Sequence, residues 1–133
     1  MRPLLFKFTE PIYSIVRLIL GLLFASYGSQ ALFNFPPGEP HELPALIVVG
    51  KAIELAGGLM IASGLLTSIA AFICSGEMAV AYFMFHAKAG FWPTVNKGDM
   101  AVLYCFVFLF MAAKGSGWLS IDAFIQRRSG GGR

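Results

Sequence analysis

The chain has 133 residues, of which 57% are hydrophobic and 13% charged, and its formal net charge is +3. Its mean hydropathy is +0.72, and its charged fraction is about half the roughly 25% of an ordinary soluble domain. That balance excludes a disordered chain, a nucleic-acid-binding module and most soluble enzymes. There is too little polar surface to cover a globule of this size.

A helix that crosses a bilayer needs about 20 mostly apolar residues. Four segments meet that length: residues 12–33, 45–66, 67–87 and 99–121. They predict an all-α integral membrane protein, a four-transmembrane-helix bundle forming one domain over residues 1–126, with a flexible basic tail over 127–133. The break FPPGEPHELP is too rich in proline to continue a helix. Pro11 suits the first turn of the first span. The break around Gly64–Ser68 is so short that the second and third spans should form a tight antiparallel hairpin. The break KAGFWPTVNKG places Phe91 and Trp92 at a span end, where aromatic rings anchor at the membrane interface.

Arg2, Lys7, Arg127, Arg128 and Arg133 flank one side of these spans, and Lys88 and Lys97 the other. The positive-inside rule then puts both termini in the cytoplasm, as in a protein of a bacterial inner membrane. The first apolar run is long and lacks an A-x-A exit, unlike a cleavable signal peptide.

Cys74 and Cys105 lie within apolar runs at different depths, and no CxxC is present. A disulfide or a thioredoxin-type pair is not expected. His41 and His86 add no metal-ligand spacing, so no metal site is expected. No flavin, haem or iron–sulfur motif is visible. Gly21, Ala25 and Ser29 in the first span, and Gly50, Glu54, Gly57, Gly58 and Ile61 in the second, recur at helical spacing. Such faces let helices approach closely in lipid, either within the bundle or in a homo-oligomer.

Ionisable groups inside a span cost about 2.5 to 3.5 kcal/mol each at the bilayer centre, so each needs a partner or a purpose. At about 1.5 Å per residue, Glu54 and Glu77 fall near the midplane and Arg17 about 8 Å from the inner edge. One reading is an Arg17–carboxylate pair that fixes helix register, with Arg17 otherwise reaching the surface. The other is a proton-handling or ligand-orienting site. A second polar set lies toward the outer edge: Gln30, Asn34, Lys51, His86, Lys88 and Asp99. Tyr82 and His86 share one face of the third span. Glu77 and His86 are nine residues apart, about 180° on an ideal α-helix, and should not point into one pocket. Asp99 suits a helix N-cap. Lys51 can pair with Glu54 or reach upward. The aromatic run Tyr104, Phe106, Phe108 and Phe110 suits lipid contact and core.

Several of these landmarks resemble one family. The run KAIELAGGLMIASGLL resembles the glutamate and double-glycine segment of DoxX-family proteins. EMAVAYFMFHAKAGFWPTVNKGDMAVLYCFVFL resembles the third and fourth helices of that family. KGSGWLSID resembles its closing G-x-G-x-x-S-x-D, and Arg17 with Gly21 matches its first-helix R-x-x-x-G. Asp99 departs from the usual Glu, and Lys114–Gly117 from a common G-P-G turn.

The resemblance implies a small four-helix membrane protein linked to quinone chemistry, oxidative stress or membrane redox complexes. The leading expectation is a redox-linked subunit that binds a quinone or similar lipophilic ligand. Any enzymatic role would be as part of a quinone-linked oxidoreductase, with electrons from a partner subunit. Arg17, Glu54, Glu77, Tyr82 and His86 are the residue types that could hold a headgroup and move protons. Alternatives are a structural or assembly subunit, in which the charges only set helix register, and a small proton-coupled transporter. Small multidrug exporters carry their key Glu in the first span, and vitamin K epoxide reductase-like bundles need CxxC. The surrounding partner is membrane lipid, with a homo-oligomer or a redox partner beside it.

Overall fold

The structure is a computed structural model that describes residues 1–39 and 42–130; Pro40, His41 and residues 131–133 lie outside the described set. A 3₁₀ turn over Phe6–Phe8 leads into α1 (Thr9–Phe33), followed by α2 (Ala45–Ser63) and α3 (Thr67–Ala81). A π-helical turn over Tyr82–His86 and a 3₁₀ turn over Ala87–Ala89 extend α3. The short α4 (Pro93–Asn96), α5 (Asp99–Lys114) and α6 (Ile121–Gly130) complete the chain. No strand occurs among the described residues.

Among the described residues, three helical runs are long and apolar enough to cross a membrane: Phe6–Phe33, Ala45–Ser63 and Thr67–Ala89. The expected fourth span is shorter than predicted. α5 ends at Lys114, because Gly115 and Gly117 adopt φ of +86° and +80°, the left-handed region that ends helices. Its 16 residues reach about 24 Å at 1.5 Å per residue. The tail expected over 127–133 is helical as far as Gly130.

α1 packs mainly on α2, and α3 on α5, while α2 and α3 meet more sparsely. Glycine explains the first seam. A methyl group at Gly21 would stand 2.5 Å from the Ala62 backbone nitrogen, and one at Gly58 would stand 2.5 Å from that of Ala25. Gly28 meets the Lys51 carbonyl just as closely. These small residues are thus used within the chain, where they let two backbones touch.

The turn between α2 and α3 is the expected hairpin. Gly64 takes φ +76°, and the Leu65 amide donates to the Met60 carbonyl (2.9 Å), a Schellman closure. Between the two pairs lies an aromatic core. Phe24 of α1 meets Phe108 edge-on (4.8 Å) and Tyr104 tilted (5.0 Å), both from α5. The aromatic run of α5 divides by helical face: Tyr104 and Phe108 are buried, Phe106 and Phe110 exposed.

Both termini lie at the same end of the bundle as the α2–α3 turn. The Lys114 ammonium pairs with Glu10 (2.8 Å), and the Tyr13 hydroxyl donates to the Gly115 carbonyl (2.6 Å). The α1–α2 and α3–α5 connections occupy the opposite end.

Candidate functional site

The predicted polar residues separate into three groups. Arg17 does not join the carboxylates. It is 3% exposed, and its guanidinium donates to the carbonyls of Ile61 (3.0 Å), Leu119 (2.7 Å) and Ser116. Asp122 completes this knot. Its carboxylate accepts from the Leu66 amide (2.9 Å) and the Ser116 hydroxyl, while its own amide donates to the Gly64 carbonyl (3.1 Å). Burial pushes the Asp122 carboxyl up. The Leu66 amide, the Ser116 hydroxyl, the Thr67 amide and nearby Arg17 outweigh that and hold it below the usual carboxylate range. The predicted Arg17–carboxylate pair is therefore replaced by an arginine–backbone clamp. A planar guanidinium can serve several carbonyls at once.

The second group braces the opposite end. Asn96, buried, donates from Nδ2 to the Tyr82 hydroxyl (3.0 Å) and the Gly90 carbonyl (2.7 Å), and its Oδ1 accepts from the Gly98 amide (2.8 Å). The Tyr82 hydroxyl in turn donates to the Phe91 carbonyl. Tyr82 is thus a strut of the 90–98 connection. Gln30 donates to the Pro37 carbonyl (3.3 Å), and Asn34 Oδ1 accepts from the Gly38 amide (3.0 Å), so both hold the proline-rich connection. Asp99 is exposed in the first turn of α5 behind Gly98, which is the N-cap, and makes no capping bond. Asn96 was not singled out from sequence. Its signal was there: an Asn–Lys–Gly turn in which Lys97 takes φ +61°.

The third group shares a cleft. Lys51, Glu54, Glu77 and His86 all line one cleft of about 550 Å³ between α2 and α3, within the size range of small-ligand sites. The Lys51 ammonium contacts both Glu54 oxygens (3.2 and 3.1 Å). The Glu77 carboxyl comes within hydrogen-bonding reach of Glu54, and its Oε2 is buried with no partner. Gly50 leaves the opening over Glu77: a methyl there would stand 3.1 Å from Oε1. His86 reaches the cleft although it is nine residues beyond Glu77. The π-helical turn Tyr82–His86 intervenes, and its wider i→i+5 pitch returns the chain toward the Glu77 side. The expectation of opposite faces fails for that reason.

The remaining walls are apolar. Leu46, Val49, Ile73, Val80 and Phe85 line the cleft and are exposed on the outside of the bundle, so the cleft opens sideways rather than at an end. A second groove of about 470 Å³, between α3 and α5, has Ser68 as its one polar side chain. That hydroxyl already donates to the Ala112 carbonyl (2.6 Å).

A family profile described as DoxX matches residues 12–87, which cover α1 to the end of the π-helical turn and contain Arg17, Lys51, Glu54, Glu77 and His86. The chain belongs to the DoxX family. An uncharacterized protein of Haemophilus influenzae is 31% identical over 123 residues, covering 87% of this chain and 92% of the relative. No solved structure matches. With its apolar helices, this DoxX chain is a membrane protein.

Proposed function

We propose that this DoxX protein is a redox-linked membrane subunit whose α2–α3 cleft holds the headgroup of a quinone-class or similar lipophilic ligand. One observation carries this reading: Lys51, Glu54, Glu77 and His86 gather in one cleft whose other walls are apolar and exposed on the outside of the bundle. Ionisable groups inside an apolar membrane protein are costly, and they mark ligand or proton sites more often than chance. A lipid-soluble headgroup entering from the side would meet these groups while its ring and tail lie against the apolar walls.

The residues present suit such a group. Apolar walls would take the ring and tail. Lys51, Glu54, Glu77 and His86 would orient the headgroup and exchange protons with it. The quinone-class ligand would supply the electron chemistry, with electrons passed to or from a partner subunit. In this reading α5, packed on α3 and apolar, crosses the bilayer as the fourth helix. Arg2, Lys7, Arg127 and Arg128 support a cytoplasmic position for both termini, in a bacterial inner membrane.

A second reading, an assembly subunit without chemistry, is favoured by the exposed Trp118, Leu119, Phe124 and Ile125 outside the long helices. The test is mass spectrometry of lipids extracted from the purified protein and from Glu77→Gln. A stoichiometric quinone-class lipid in the parent, depleted in the variant, supports the ligand reading. Only bulk phospholipid in both contradicts it and leaves the assembly role.

A further inference from the structure

α6 is held to the bundle by its first turn. The Asp122 amide donates to the Gly64 carbonyl (3.1 Å), and the Asp122 carboxylate accepts from the Leu66 amide and the Ser116 hydroxyl. From Phe124 onward every described residue of the helix is exposed. Its 10 residues reach about 15 Å, and an isolated helix of that length is marginal in water. A covering surface would stabilise it. The face turned away from the bundle is apolar. Ile121, Phe124 and Ile125 recur at helical spacing opposite the half-buried Asp122 and Ala123, and all three are exposed. Arg128, four residues after Phe124, shares that face, with its guanidinium 5.6 Å from the centre of the Phe124 ring. Arg127 donates to the carbonyls of Trp118 (3.0 Å) and Ala123 (3.3 Å), which leaves most of its N–H groups for another acceptor.

An occupant of this face must meet apolar side chains and cations together. The acids of this end are already taken: Glu10 bonds to Lys114, and Asp122 to the Leu66 amide and Ser116. The other five of the chain's seven acidic residues lie in the cleft or at the opposite end. Among the described residues, Arg2, Lys7, Arg127 and Arg128 form no ion pair. A second copy lying the same way in the membrane would bring the same cations and no spare carboxylate. A phospholipid leaflet supplies both needs, phosphates for the guanidinium forks and a hydrocarbon boundary for the apolar side chains. We propose that α6 lies in the membrane interface, with Ile121, Phe124 and Ile125 at the hydrocarbon boundary and Arg127 and Arg128 on the phosphates of anionic phospholipid. Neither the cleft nor its ligand enters this proposal. Lipid, rather than a partner protein, then covers the exposed apolar residues of α6.

The experiment is hydrogen–deuterium exchange of the full chain in nanodiscs of phosphatidylcholine and in nanodiscs that also contain phosphatidylglycerol. Amides of residues 121–130 should exchange about tenfold more slowly in the anionic nanodiscs, and high salt should shrink that difference. The 90–98 connection at the opposite end is the internal reference, because both leaflets carry the anionic lipid. Replacing both arginines, Arg127→Gln with Arg128→Gln, should remove the dependence on phosphatidylglycerol. Equal exchange of 121–130 in the two lipids overturns the proposal. So does equal slowing of 90–98, which is an effect of the charged surface on exchange chemistry. Protection that follows the number of chains per nanodisc rather than the lipid overturns it in favour of a second copy on this face. A double variant that keeps the full lipid dependence overturns the assignment of the phosphates to Arg127 and Arg128. The comparison of lipids is made on the parent protein, so it stands even if the variant fails to fold.

Discussion

Glu77 and His86 stand nine residues apart in one helical run and line the same cleft, because the π-helical turn Tyr82–His86 lies between them. That turn is held from outside. Tyr82, its first residue, is bonded through its hydroxyl to Asn96 and Phe91. The chemistry of the cleft and the bracing of the far connection therefore meet in five residues.

Tyr82→Phe separates the two. It removes the hydroxyl that links α3 to the 90–98 connection and leaves Asn96 Nδ2 with the Gly90 carbonyl alone. The expected outcome is a loss of about 1–3 kcal/mol of stability, with faster hydrogen exchange over residues 90–98. The polar groups of the cleft remain in place, so ligand retention should survive where the protein stays folded. Loss of ligand from a fully folded Tyr82→Phe protein would make Tyr82 a contact residue.

The arginine clamp gives a second prediction. Arg17→Lys keeps the charge and loses the planar fork that reaches Ile61, Ser116 and Leu119. It should destabilise the protein by about 2 kcal/mol or more and expose the segment 115–130 to limited proteolysis. The copurified lipid should be unchanged, because the guanidinium's bonds run to backbone carbonyls at the end of the bundle. A change in bound lipid with intact proteolytic protection would return Arg17 to the ligand site.

Acid should loosen the same end. The folded Asp122 carboxyl lies below its ordinary value, so its contribution is complete above the unfolded carboxyl's value of about 3.9 and fades as pH falls through the folded one. Thermal unfolding between pH 6 and pH 3 should show the parent losing more stability than Asp122→Asn. Parallel curves for the two proteins would show that Asp122 contributes nothing through its charge.

Two glycines should respond in opposite directions to the same change. Gly21→Ala drives a methyl group to 2.5 Å from the Ala62 backbone nitrogen and 2.7 Å from the Gly58 carbonyl oxygen. Neither backbone atom can rotate away, and overpacking of this kind costs about 1–3 kcal/mol. Gly76 has nothing within 4 Å of the position a methyl group would take, and Gly76→Ala should stabilise α3 by about 0.5–1 kcal/mol. Melting temperatures in one detergent check both signs.

Much of the architecture was legible in the sequence because length and hydropathy decide it. The starts of α2, α3 and α5 fall at the predicted residues 45, 67 and 99. The Lys51–Glu54 pair follows from i,i+3 spacing, and the close-packing faces around Gly21 and Gly58 from their helical recurrence, although not which helices they join. What escaped was set by departures from regular helix and by backbone partners. The π-helical turn has no hydropathy signature, so Glu77 and His86 were assigned to opposite faces. The end of α5 depended on the φ of Gly115 and Gly117, which an apolar run through Trp118 and Leu119 conceals. Arg17 was paired with carboxylates because sequence displays side chains, whereas its partners are carbonyls of Ile61, Ser116 and Leu119.

The central claim is that the α2–α3 cleft is the ligand site, and photochemical crosslinking tests it most directly. A photoreactive quinone-class probe would be added to the protein in lipid nanodiscs and the labelled peptides mapped by mass spectrometry. The account predicts labelling at Val49, Val80, Met84 or Phe85 of the cleft, competed by unlabelled probe and lost in Gly50→Leu. Labelling of Phe72 and Leu109 in the α3–α5 groove instead, or labelling that no competitor reduces, would contradict it.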